Sequence, residues 1–162
     1  MTLCLESAEK LLVLGIGNVL LGDEGAGVHA VRRLSRELGE MRGVHYLDGG
    51  SLGFTLAPDI EDCDALIVMD AAELGRLPGA VAVFEGEHMD RFLGSAGSRT
   101  AHDAGLRDVM AAAVLGGKLP SRRALICIQA GYLESATRPS AQVLAAIEKA
   151  CELARDLIGR WR

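Results

Sequence analysis

The feature that most constrains this chain is an unbroken apolar run, L-L-V-L-G-I at Leu11–Ile16, that leads straight into the glycine-rich stretch G-N-V-L-L-G-D-E-G-A-G. An apolar run without alternation suits a parallel strand covered on both faces, since a strand with one wet face alternates apolar and polar residues. From 24 to 38 the period becomes helical: Ala26, Ala30, Val31, Leu34 and Leu38 share one side, and Arg32, Arg33, Arg36 and Glu37 the other. Further apolar runs at 44–47, 65–69 (A-L-I-V-M), 80–84 (A-V-A-V-F) and 125–129 (L-I-C-I-Q) predict four more strands. Helices are predicted over Asp103–Leu115 and 140–158, the second with Pro139 near its start. The link from the third run to the fourth, A-E-L-G-R-L-P-G, is too short for a helical crossover, so the fourth strand is expected antiparallel at a sheet edge. The segment 86–99 is polar and glycine-rich and reads as a surface loop.

Strands alternating with helices predict an α/β fold, a three-layer α/β/α sandwich around a five-stranded, mostly parallel twisted sheet with one antiparallel edge strand. The length of 162 residues fits a single domain over 1–162. A net charge of −5 and 4% aromatic residues leave neither the basic footprint nor the stacking platforms of a nucleic-acid binder. The first ten residues show no secretory signal and no uncharged apolar run is long enough to cross a membrane, so a cytoplasmic protein without membrane insertion is expected, as a monomer. Cys4, Cys63, Cys127 and Cys151 are scattered and form no C-x-x-C, which argues against zinc knuckles, dithiol redox chemistry and a disulfide scaffold.

In open α/β sheets ligands bind outside the carboxyl ends of the strands, where strand order reverses. The first such loop opens like a dinucleotide fingerprint, G-x-G-x-x-G, but Leu20 stands at the third glycine position. That loop places Asp23 and Glu24 at the mouth of a helix, where Asp23 would ordinarily cap it and Glu24 complement its dipole. The second, D-G-G-S-L-G at 48–53, contains a formal G-x-S-x-G around Ser51. A serine hydrolase would use Ser51, an acid and His102; a tight turn with Ser51 capping the next helix is the plainer alternative. The third begins with Asp70, expected to lie exposed just beyond the strand 65–69. The fourth, S-R-T-A-H-D-A-G-L at 98–106, sets His102 just before a helix, whereas His29, His45 and His88 are assigned no role. Glu24, Asp70 and His102 would together make an open metal site of carboxylates and imidazole, a donor set that suits zinc, nickel, iron or manganese alike.

The D-E-G-A-G loop, D-G-G-S-L-G, the M-D-A after the third strand and T-A-H-D-A-G-L-R-D-V resemble, in that order, the nickel-iron hydrogenase maturation endopeptidases, over about 11–143. The resemblance implies a protease that removes the C-terminal extension of a hydrogenase large-subunit precursor after nickel has been inserted. It implies nickel, supplied by the substrate, as the metal, with Glu24, Asp70 and His102 as its ligands. It also marks Asp48 as a hallmark residue, catalytic together with Asp70. The segment 131–140, G-Y-L-E-S-A-T-R-P-S, departs from the family's Gly-x-Leu-Ser or Gly-x-Leu-Thr element and leaves the class of hydrogenase open. A non-catalytic nucleotide- or nickel-binding module is the alternative of another class. Eight of the 20 glycines fall in the first two loops, the turns where carboxylates and a substrate backbone would have to approach closely.

Overall fold

The computed structural model describes residues 9–51, 54–95, 103–131 and 136–162. Five strands, β1 (Leu11–Ile16), β2 (Val44–Gly50), β3 (Ala65–Ala72), β4 (Val81–Glu85) and β5 (Arg122–Gln129), form one sheet in the order β2-β1-β3-β5-β4. The first four of that order run parallel, and β4 pairs antiparallel with β5 at the edge, as the short connection requires. Five helices cover the sheet: α1 (Ala26–Leu38), α2 (Ala57–Glu61), α3 (Glu87–Gly94), α4 (Asp103–Leu115) and α5 (Ala141–Trp161).

The strand periodicity decides which helices meet which face. Leu11, Val13, Ile67, Met69, Ile126 and Ile128 point to a core shared with α1 and α5, among them Val31, Leu34, Val143, Ile147, Ala150 and Leu157. The alternate residues, including Leu12, Leu14, Ile16, Leu66, Val68, Leu125 and Cys127, pack against α2, α3 and α4 through Ile60, Met89, Leu93, Leu106 and Val109. β1 and β3 are buried at every position, which is why their sequences do not alternate, whereas β4 is half-buried throughout. α1 ends at Gly39, whose φ of 62° lets its N–H return to Ser35 O at 3.0 Å. Cys63, Cys127 and Cys151 are buried thiols. No helix among the described residues is long and apolar enough to cross a membrane.

Two boundaries differ from the sequence reading in ways that matter for the site. The predicted loop 86–99 contains α3, in which Met89 and Leu93 are buried and Phe92 stacks on Phe84 at a ring separation of 4.2 Å. Its apolar residues keep i, i+3, i+4 spacing, but only three of them stand among four charged or imidazole side chains, so the periodicity is short. β2 and β3 each run three residues further than predicted, which draws Asp48 and Asp70 into the strands themselves.

Candidate active site

β1 lies between β2 and β3, so the chain leaves β1 toward one side and later returns on the other. This is the reversal point of the sheet, and the loop after β1 and the end of β3 meet there. The loop closes through a 3-10 turn, Gly22–Gly25, before α1 begins at Ala26. That late start is incompatible with a dinucleotide site, which needs the helix N-terminus directly behind the glycines. α1 then lies unusually close to the sheet: a Cβ on Gly27 would stand 2.1 Å from Met69 O and 2.4 Å from Ile16 O. Only glycine allows that approach, and it brings Glu24 to the end of β3.

Asp70 is fully buried inside β3, a correction to its expected exposure just past the strand. The ladder continues because Asp70, Ala71 and Ala72 pair with Cys127, Ile128 and Gln129 of β5. Asp70 therefore shares its face with Cys127, and points to the side of α2, α3 and α4. His102 lies outside the described residues; it directly precedes α4 in the sequence, and α4 packs on that same side. Among the described residues, no group of three or more histidine, cysteine, aspartate or glutamate side chains is placed to hold a metal ion.

Asp48 ends up elsewhere. It pairs with Gly15, which pairs with Met69, so it stands two strands, about 10 Å, from the end of β3. Because paired residues in a parallel ladder share a face, Asp48 lies with Met69 on the α1 side, opposite to Asp70. Arg32 of α1 holds it there, with Nε 2.8 Å and a second guanidinium nitrogen 2.6 Å from Oδ2. Its Oδ1 accepts the N–H of Gly50 at 3.1 Å, a local turn in which Gly50 takes φ 52°. Ser51, next in the chain, is exposed, and α2 is capped at Leu56, so Ser51 is not its cap.

Two buried polar residues organise these loops, and neither was singled out for that role in the sequence. Asp23 does not cap α1, whose preceding residue is Gly25. It is fully buried and accepts the N–H of Gly131 at 3.0 Å, the N–H of Ser140 at 2.6 Å and the Ser140 hydroxyl at 3.0 Å. Ser140 in turn caps α5, accepting the N–H of Val143 at 3.4 Å. Together with Gly22 N–H to Ala136 O at 2.8 Å and Ala136 N–H to Leu20 O at 3.2 Å, Asp23 joins the β1–α1 loop to the β5–α5 loop. Gln129, at the end of β5, does the same for the loop after β3. Its Oε1 accepts the N–H groups of Leu74 at 2.6 Å and Arg76 at 3.3 Å, and its amide donates to Glu73 at 3.1 Å and to Ala130 O at 2.9 Å. The signals were present: an acidic residue beside Glu24, and one polar side chain closing an apolar run.

His29 of α1, left without a role in the sequence, lies on the Asp48 side. Burial lowers its pKa from 6.5, the Arg32 charge lowers it further, and Asp48 opposes both. The structure therefore sets two carboxylates at the reversal point by different means. Asp70 is fully buried inside a strand paired with β5, and Asp48 is held by an arginine at the sheet edge.

Comparison with known proteins agrees with this arrangement. The hydrogenase maturation protease family model matches residues 28–157. The hydrogenase expression/formation protein HupD of Rhodobacter capsulatus is 43% identical over 126 residues, 78% of this chain and 60% of that protein. The chain thus spans about 60% of the length of the first curated relatives it matches. Among solved structures, the hydrogenase maturating endopeptidase HybD from Escherichia coli superposes with a TM-score of 0.81 at 33% identity, covering 90% of this chain and 89% of that one. HybD from Thermococcus kodakarensis, a [NiFe] hydrogenase maturation protease, gives 0.77 at 30% identity, covering 91% and 98%. With a reversal-point site, a parallel sheet with one antiparallel edge, and matches of this extent, the chain belongs to the hydrogenase maturation protease family.

Proposed function

We propose that this chain is an endopeptidase that removes the C-terminal extension of a nickel-iron hydrogenase large-subunit precursor after nickel insertion, recognising the nickel that the precursor carries. The observation that carries this reading is that Gly27 lays the Glu24 turn on the end of β3, where Asp70 is buried, in a chain of this family. In this reading Glu24, Asp70 and His102 are the ligands that complete the coordination of the substrate's nickel. Carboxylate and imidazole donors suit such a borderline divalent cation, and a cation beside Asp70 offsets the cost of keeping its charge away from water. Nickel held there polarises the scissile carbonyl or an attacking water.

The rest of the chemistry belongs to the chain. The pairing of β3 with β5 on through Ala72 keeps the Asp70 carboxylate aimed without reorganisation when substrate arrives. Asp48 positions or deprotonates the attacking water from the β2 side. Its Oδ2 is already held by two nitrogens of Arg32, whereas its Oδ1 accepts only the Gly50 N–H among the described residues and keeps a lone pair for a further donor. Because Asp48 and Asp70 face opposite sides of the sheet, the substrate backbone has to cross the sheet edge between them. The chain acts as a cytoplasmic monomer in this reading.

Incubating the chain with nickel-loaded precursor is expected to shift the precursor's mass by its extension, and nickel-free precursor is expected to stay intact. Asp70→Asn and His102→Ala are expected to abolish the shift. Cleavage of nickel-free precursor would overturn the nickel part of the reading, and labelling of Ser51 by an organophosphonate with loss of activity would replace it with a serine mechanism.

A further inference from the structure

We propose that the groove between α1 and the outer edge of β2 binds the extension itself, as an extended strand added to β2. This rests on the protease reading and specifies which part of the substrate goes where. Among the described residues β2 is an edge strand that pairs only with β1. On its other edge the N–H of Val44 goes to Met41 O, and no backbone hydrogen bond beyond the β1 ladder is formed from 45–49 among the described residues. Such an edge offers a row of N–H and C=O groups to an incoming chain.

The groove beside that edge has a volume of about 580 Å³ and is lined by His29, Arg32, Ser35 and Arg36 from α1 and by Tyr46 and Asp48 from β2. Past Ser35 and Tyr46 it continues into a second hollow of about 650 Å³ that reaches Arg42. The two together track β2 along its length and end at Asp48. The groove therefore leads to the reversal point from the face opposite to Asp70. A polypeptide whose nickel-bearing part is held at Glu24 and Asp70 crosses the sheet edge at its scissile bond, and the segment beyond that bond enters this groove.

Charge narrows the occupant. The chain carries −5 overall, yet the two hollows together present three guanidinium groups, of Arg32, Arg36 and Arg42, against two carboxylates, of Asp48 and Glu40. Arg32 is engaged by Asp48, whereas Arg36 donates only to Arg32 O at 3.3 Å and forms no ion pair among the described residues. The occupant that fits is an extended, acidic segment of the extension, its backbone on β2 and a carboxylate side chain on Arg36.

Two measurements on the full chain test this. With a synthetic peptide of the extension as probe, hydrogen exchange is expected to slow at the outward-facing amides of Tyr46 and Asp48, which alternate with those in the β1 ladder, and to stay unchanged on β4, the opposite edge. With nickel-loaded precursor as substrate, Arg36→Glu is expected to raise KM about threefold to tenfold with kcat unchanged, an effect that shrinks when an acidic residue of the extension is exchanged for lysine. Cleavage by the wild type with unchanged KM in Arg36→Glu and no slowing at Tyr46 and Asp48 would overturn the groove while leaving the protease reading intact. Failure of the wild type to cleave nickel-loaded precursor would overturn both.

Discussion

The ends of β3 and β2 carry the same residue type and treat it in opposite ways. Asp70 near the end of β3 is fully buried and pairs with Cys127 of β5, one strand in from the antiparallel edge, so its position is set by the packed centre of the fold. Asp48 at the end of β2 has one neighbouring strand, is partly exposed, and is held by a single arginine across the groove. A central strand can bury a charge in a fixed place only because many backbone groups around it are already satisfied. An edge strand leaves its carboxylate adjustable and its backbone open to a partner. The difference suits the proposed site, in which one carboxylate would be fixed and the neighbouring edge would admit a polypeptide.

The central arrangement breaks most severely at Gly27. Gly27→Ala would drive a methyl group into the carbonyls of Met69 and Ile16, and relief requires α1 to lift from the sheet. A loss of about 3 kcal/mol is expected, read as a lower urea midpoint at unchanged m. Asp23→Ala is expected to cost nearly as much, about 2–3 kcal/mol, because it leaves the N–H groups of Gly131 and Ser140 without their acceptor. Retention of wild-type stability in Asp23→Ala would show that the joined loops are held by the Gly22–Ala136 backbone pair alone.

The two aspartates can be set against each other directly. On the proposed reading, Asp70→Asn is expected to lower precursor cleavage by about 100-fold or more, and Asp48→Asn by about tenfold, since the first would remove a proposed ligand fixed by the core and the second a group that water can partly replace. Circular dichroism and the urea midpoint report whether each variant remains folded. Equal losses at the two positions would mean that water does not replace Asp48 at all, and that the edge carboxylate is as necessary to cleavage as the buried one.

Much of this was legible in the sequence because burial writes itself into periodicity. The unbroken runs of β1, β3 and β5 and the helical spacing of α1 and α5 follow from being covered on both faces or on one. The short connection before Val81 sufficed to turn β4 antiparallel. Residues whose role depends on distant partners were not legible in that way. Asp23 looks like a local helix cap, and instead it holds the cap of a helix more than a hundred residues away, Ser140 of α5, because the β5–α5 loop folds onto its own. Asp70 looks like the residue after a strand, because an acidic side chain ordinarily ends an apolar run; pairing with Cys127 carries the strand past it. Arg32 is one of several arginines on the outward face of α1, and only the crossover that brings β2 beside it selects it for Asp48.

At the edge the expected effects are small. The Arg32–Asp48 pair has side chains 53% and 35% exposed, so water screens it, and Arg32→Ala is expected to lower stability by under about 1 kcal/mol. Its effect on cleavage is expected to be about threefold and to fade in high salt, because Arg32 only holds Asp48 in place. Rescue by Arg32→Lys in low salt would show that charge suffices, and failure of that rescue would point to the two-nitrogen geometry of the guanidinium.

The smallest effect concerns His29, which faces the same pair. Burial first, and then the Arg32 charge, depress its folded-state pKa below the ordinary 6.5, with Asp48 opposing. Between those two values the unfolded chain binds the proton more readily than the folded one, so stability rises with pH across that window. The contribution is fully present above about 6.5 and is lost as the pH falls through the depressed value. The expected slope corresponds to less than one proton per molecule, read from urea midpoints taken below pH 6.5. His29→Gln removes the titrating group and is expected to flatten that slope, whereas Arg32→Ala is expected to narrow the window by relieving one of its two causes. An unchanged slope in His29→Gln would move the acid sensitivity of this face from the imidazole to the Arg32–Asp48 pair.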